Sequence, residues 1–162
     1  MILDFDLDFL KEATALVDRR LEQLEREAKA SPDPDMYGVY DQAEYITGFG
    51  FVACQTYATG VISLSKVGKR DAFALGPKHR TGLTMIEITY AAANYWKHSP
   101  EWSFDALTPQ QQETRDVIER LGVKIPNSYP VANMLRRILT PHPARFANLI
   151  PFLTQWRDAL PR

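Results

Sequence analysis

The apolar positions at the start of the chain are Leu3, Leu7, Leu10, Val17, Leu21, Leu24 and Ala28, a 4,3,4,3 spacing that only Thr14 interrupts. Side chains three and four apart share a helix face, so the pattern predicts one long helix with a narrow buried seam. Asp4, Asp6 and Asp8 suit the positive N-terminal end of that helix. Ser31-Pro32-Asp33-Pro34 ends it, because a proline disfavours helical geometry in the residue before it.

A second long helix is expected to begin near Asp35 or Asp41 and to carry residues 45–65, 21 positions without a charge. That length could span a bilayer. Thr47, Gln55, Thr56, Thr59, Ser63 and three glycines interrupt it, however, and no other segment could partner it. A central helix buried on most sides is the expectation, with Gly48, Gly50 and Gly60 allowing neighbouring helices to approach.

After a basic loop over residues 66–80, Thr84 and Glu87 have the spacing of a capping box for a third helix, which Pro100 stops. Thr108, Pro109 and Gln111 supply a cap, a first-turn proline and a third-position glutamine for a fourth, ending at Gly122. A fifth starts at Ser128-Tyr129-Pro130. A sixth follows Pro141-His142-Pro143 with Phe146, Leu149, Ile150, Leu153, Trp156 and Leu160 on one face. No run alternates as a strand does, and no repeat is visible. The expected fold is all-α, a single helical domain over residues 1–162 built as a helical bundle of four main helices plus shorter appended helices.

Composition changes this picture little: 162 residues at 45% apolar and 24% charged fit a globular chain with a real core and exclude disorder. One cysteine, Cys54, excludes an intrachain disulfide and, among Phe51, Val52 and Tyr57, reads as a small core residue. The acidic first ten residues do not resemble a secretory leader, and a cytoplasmic protein is expected.

Charge placement says more than net charge, which is only -1. Residues 1–44 hold twelve acids against five Lys and Arg, whereas no acid lies between Glu119 and Asp158. A second basic run, Lys66, Lys69, Arg70, Lys78 and Arg80, is offset only by Asp71. One-signed surfaces of this kind collect anions, so these residues together with Lys97 are candidate anion-binding groups for a protein partner or nucleic acid. The alternative is that the acidic first helix covers them within the fold.

The third helix carries the candidate chemistry. Glu87, Ala91, Asn94 and His98 are spaced 4, 3 and 4 apart and share one face, leaving three polar groups in a stripe. An imidazole beside an amide and a carboxylate can transfer protons near neutral pH. Each also has a structural role open to it: Glu87 completes the capping box, Asn94 can bond a loop, and Lys97 and His98 favour the negative helix end. The three histidines, 79, 98 and 142, lack the spacing of a helical zinc pair, and no metal or other cofactor is expected.

The segment Ala93-Asn94-Tyr95-Trp96-Lys97-His98, late in a helix of an all-α chain, resembles the HEPN group of bacterial defence and toxin proteins, many of them metal-independent ribonucleases. Their motif runs from an Arg, often followed by Asn, to a His four to six residues on. Asn94 and His98 take the polar and histidine positions, and Ala93 stands where the motif has Arg. A second Arg-to-His spacing, Arg137 to His142, crosses a Pro-terminated helix end. The resemblance covers mainly residues 37–102. It implies a ribonuclease in which His98 is the general acid or base, Asn94 and Glu87 orient it, and Lys97 with the 78–80 patch binds phosphate. With the motif incomplete, the first expectation is a non-enzymatic helical binding or regulatory protein of bacterial type, such as an antitoxin, immunity or defence-associated protein. It would act on a macromolecular partner, away from membranes, with a homodimer as one form open to it.

Overall fold

The structure, a computed structural model, describes residues 5–126 and 129–161, so Leu3, Asp4 and Ser128 lie outside the described residues. It is all-α. The helices are α1 (Phe5–Ala30), α2 (Val39–Leu64), α3 (Lys69–Phe73), α4 (Met85–His98), α5 (Pro109–Arg120), α6 (Pro130–Leu139) and α7 (Phe146–Asp158), with one 3-10 turn at Ser99–Glu101. Among the described residues the only strand-like feature is an isolated bridge between Lys78 and Thr84.

Helix α1 buries the expected seam of Leu7, Leu10, Val17, Leu21 and Leu24 against α2 and α7. Thr14 enters the seam at no polar cost, since its hydroxyl donates to the Leu10 carbonyl at 2.8 Å. Helix α4 lies at the centre, touching α2, α5, α6 and α7, and residues 88–93 are all buried. Leu149, Leu153 and Trp156 of α7 close the core, and the Trp156 indole donates to the Ala72 carbonyl at 2.8 Å.

Close helix approaches occur at two of the three glycines in α2. A Cβ on Gly48 would sit 2.0 Å from the Trp96 ring, and one on Gly50 would sit 2.3 Å from Phe146. Gly60 differs from expectation: nothing lies within 4 Å of its Cβ position. Nor is α2 buried on most sides. Tyr45 is 62% exposed, Phe49 55% and Leu64 85%, because a helix face can lack charge without being covered. Among the described residues, no helix is long and apolar enough to cross a membrane.

Local chemistry fixes two helix starts. Thr84 and Glu87 form a reciprocal capping box on α4, and Thr108 and Gln111 form another on α5 with Pro109 in the first turn. Helices α6 and α7 have no such local cap, since Tyr129 and Arg145 stand at the cap positions. Acids from the first two helices supply the acceptors instead. Glu44 accepts from the Val131 and Ala132 N–H groups at 2.8 and 2.7 Å, and Asp18 accepts from those of Phe146 and Ala147 at 2.7 and 2.9 Å. Two carboxylates on two helix N-termini satisfy four otherwise unpaired donors. Burial outweighs the N–H bonds at Glu44 and pushes its carboxyl up to about 7.

The acidic N-terminal third therefore does meet the C-terminal third, but largely through backbone donors. Its acids also meet side chains there, Glu25 and Glu22 with Arg145 and Asp35 with the Tyr129 hydroxyl. Among the described residues, no ion pair from α1 reaches Lys66, Lys69, Arg70, Lys78 or Arg80. Nor is the basic segment one loop: α3 occupies 69–73, and residues 77–85 form a tight turn closed by His79 N–H to Leu83 O and Met85 N–H to Pro77 O.

Candidate functional site

The stripe on α4 faces a cleft of about 610 Å³ between α3, α4 and α5. Lys69, Arg70 and Phe73 of α3 form one wall, Glu87, Tyr90, Ala91 and Asn94 of α4 line the floor, and Gln110, Glu113, Thr114 and Asp116 of α5 form the other wall. A smaller chamber of about 220 Å³ continues from it past Asn94, Gln110 and Thr114 to His98, Trp102 and Thr108. Capping boxes position the floor and the α5 wall, since they set where α4 and α5 begin. Buried Ala91 keeps the floor low between Glu87 and Asn94.

The three polar groups share this trough without forming one constellation. Eleven residues of helix place Glu87 roughly 16 Å from His98, so the carboxylate cannot orient the imidazole. Its Oε2 is already taken, 2.7 Å from the Thr84 N–H and 2.9 Å from the Thr84 hydroxyl. Asn94 stands one helical turn from His98 and lines both chambers. His98 is half-exposed at 53% of its side chain, with Nδ1 3.9 Å from Glu101 Oε2.

Lys97 fixes which way Asn94 points. Its ammonium can only donate, and it lies 2.6 Å from Gln55 Oε1. The amide nitrogen of Gln55 then donates to Asn94 Oδ1 at 2.8 Å. The Asn94 oxygen is thereby committed to α2, which leaves its NH₂ group as the free end. Lys97, expected as a phosphate ligand, is the first member of this relay, which takes up one of its three donors. Gln55 was hidden from sequence reasoning because it sits in the uncharged stretch that reads as core.

The basic residues divide. Lys69 and Arg70 line the cleft, and the Lys69 ammonium lies over the Tyr90 ring at 4.8 Å and the Phe73 ring at 5.4 Å. Such stacking holds a cation in place while leaving it charged. The Tyr90 hydroxyl is 2.7 Å from Thr59 Oγ1, and burial raises its pKa above the ordinary tyrosine value. Lys66 is exposed just beyond α2. Lys78 and Arg80 stand on the turn that precedes α4, at the opposite end of that helix from His98, so no cationic rim from this turn surrounds the imidazole.

The cleft is of mixed sign: Lys69 and Arg70 face Glu113 and Asp116. Sequence pattern does not single these α5 acids out, and packing places them opposite α3. Cys54 is fully buried, and burial together with the charge of Asp18 pushes its thiol far up from the ordinary value, which makes it a poor nucleophile. Among the described residues, no group of three or more His, Cys, Asp or Glu is placed to hold a metal ion. No protein-family model, curated protein or solved structure matches the chain.

Proposed function

We propose that the protein is a non-enzymatic helical binding protein, of antitoxin, immunity or defence-associated type, that holds a segment of a macromolecular partner in the α3–α4–α5 cleft. One observation carries this reading: Glu87 and Lys97 are engaged in bonds that build the fold, and the carboxylate beside His98, that of exposed Glu101 at 3.9 Å, lies beyond hydrogen-bond distance of the imidazole. The opposed signs of the walls suit a partner segment carrying both charges and disfavour a polyanion, which Glu113 and Asp116 would repel. The scaffold in this reading is a bundle of four main helices with shorter ones appended, in a cytoplasmic protein that needs no cofactor and is able to pair with itself.

A second reading, a metal-independent ribonuclease of HEPN type, draws on the smaller chamber, where the free Asn94 NH₂ group and His98 meet. Two measurements separate the readings. Metal-free RNA cleavage by the wild type, lost in His98→Ala, would establish the ribonuclease and overturn the binding reading. A co-purifying partner retained by wild type and by His98→Ala, but released by Lys69→Glu with Arg70→Glu, is the expected result.

A further inference from the structure

A second charged surface lies outside the cleft. Two of the acid-free stretches that carry cations, residues 72–86 and 120–157, are brought together by the fold where the 77–85 turn meets the end of α5 and α6. The Arg120 guanidinium lies 3.3 Å from the Thr81 carbonyl. His79 fastens the same turn: its Nδ1 is 2.9 Å from Thr81 Oγ1 and 3.4 Å from the Thr81 N–H, and the ring also bonds the Arg137 backbone. Burial and the charge of Arg80 lower the pKa of this ring. Gly122, at φ +77°, leaves no side chain between the backbone and the Arg137 guanidinium, whose Nη1 lies 3.1 Å from the Cβ position.

The result is a stiff corner bearing three exposed guanidiniums, Arg80, Arg120 and Arg137. The nearest acid in sequence, Glu119, is occupied by Arg115 at 2.8 Å. Guanidinium forks match phosphate oxygens and stay charged at any working pH. A protein interface needs an apolar centre, yet the large exposed apolar side chains lie elsewhere, at Phe9, Leu16, Tyr45, Phe49 and Leu64 among others. Recognition here is by charge with little apolar contact, which is how a nucleic-acid backbone is held.

We infer that Arg80, Arg120 and Arg137 form a nucleic-acid backbone site, separate from the cleft, that binds phosphodiesters without reading sequence. Fluorescence anisotropy with a labelled mixed-sequence RNA strand and a labelled DNA duplex tests it. Wild type should bind at low salt and lose affinity steeply between roughly 50 and 200 mM salt. Arg120→Gln with Arg137→Gln should weaken RNA binding about tenfold or more at low salt and flatten the salt slope by roughly 1.4, at ~0.7 per lost single-strand phosphate contact. Arg80→Gln, whose side chain takes no part in fastening the turn, should weaken binding with the circular dichroism spectrum unchanged. Absence of wild-type binding at low salt would overturn the assignment, as would full affinity in the Arg120/Arg137 variant. So would RNA binding that falls with Lys69→Glu and Arg70→Glu but not at the corner, or competition by poly-glutamate as effective as unlabelled RNA of equal charge.

Discussion

Replacing Glu44 by Gln should remove a pH dependence built into the junction of α2 and α6. The folded carboxyl sits at about 7 against an ordinary 4.5, because burial costs the anion more than the two N–H bonds return. The folded state thus holds its proton more tightly than the unfolded chain does. Between pH 4.5 and 7 the native state binds more protons, so stability falls as pH rises through that window and levels off above it. At ~1.36 kcal/mol per unit, the full loss is about 3 kcal/mol. Glutamine keeps one acceptor but turns an NH₂ group toward a second N–H, so the variant should be less stable at low pH by roughly 1–2 kcal/mol, the cost of one unsatisfied buried donor. It has no proton to lose, so wild type should lose that advantage, and then fall below the variant, as pH rises toward 8. Urea unfolding followed by circular dichroism, run on both proteins from pH 4.5 to 8, measures the difference while cancelling the titration of every other group. Parallel curves would refute the reasoning. A wild-type advantage that grows with pH would mean that the helix N-terminus, not burial, governs this carboxylate.

Asp18→Ala should lower stability by about 2–3 kcal/mol in thermal unfolding, since it strips both acceptors from the start of α7, and Asp18→Asn should recover part of the loss. Gly48→Ala should destabilise and shift tryptophan fluorescence, because its methyl would occupy the space of the Trp96 ring. Gly60→Ala should stabilise by up to about 1 kcal/mol, as alanine is the better helix former where nothing obstructs it. Cys54 should resist a thiol reagent in the native protein and react only on unfolding; rapid labelling under native conditions would contradict its burial.

Much of the fold was legible where cause and effect lie close together along the chain. Thr84 with Glu87 and Thr108 with Gln111 are caps three residues apart, and the seam of α1 repeats within a turn. The caps on α6 and α7 were illegible for the opposite reason: Glu44 and Asp18 act across 87 and 128 positions, and nothing near Tyr129 or Arg145 announces them. Helix α3 has five residues, too few to show a period. The uncharged run of α2 misled because its outer face is apolar yet uncovered. At the cleft, spacing put Glu87, Asn94 and His98 on one face, and the same spacing, eleven residues of helix between the ends, already kept the carboxylate from the imidazole. The α5 wall and Gln55 came from other helices, and sequence pattern is silent about which helices meet.

The borrowed caps also impose a schedule on the chain as it is made. Asp18 is synthesised 128 positions ahead of the amide it will bind, a delay of roughly 6–26 s at ~5–20 residues per second. Until the amides of Val131 and Phe146 are made, Glu44 and Asp18 respectively lack these donors, and α1 and α2 can pair with each other but not finish. When the last two helices emerge, their first turns find acceptors already in position, so docking and helix initiation become one event. Native order therefore arrives from the late end of the molecule, and a chain stalled before residue 130 would retain two uncommitted acids where the finished protein has its joints.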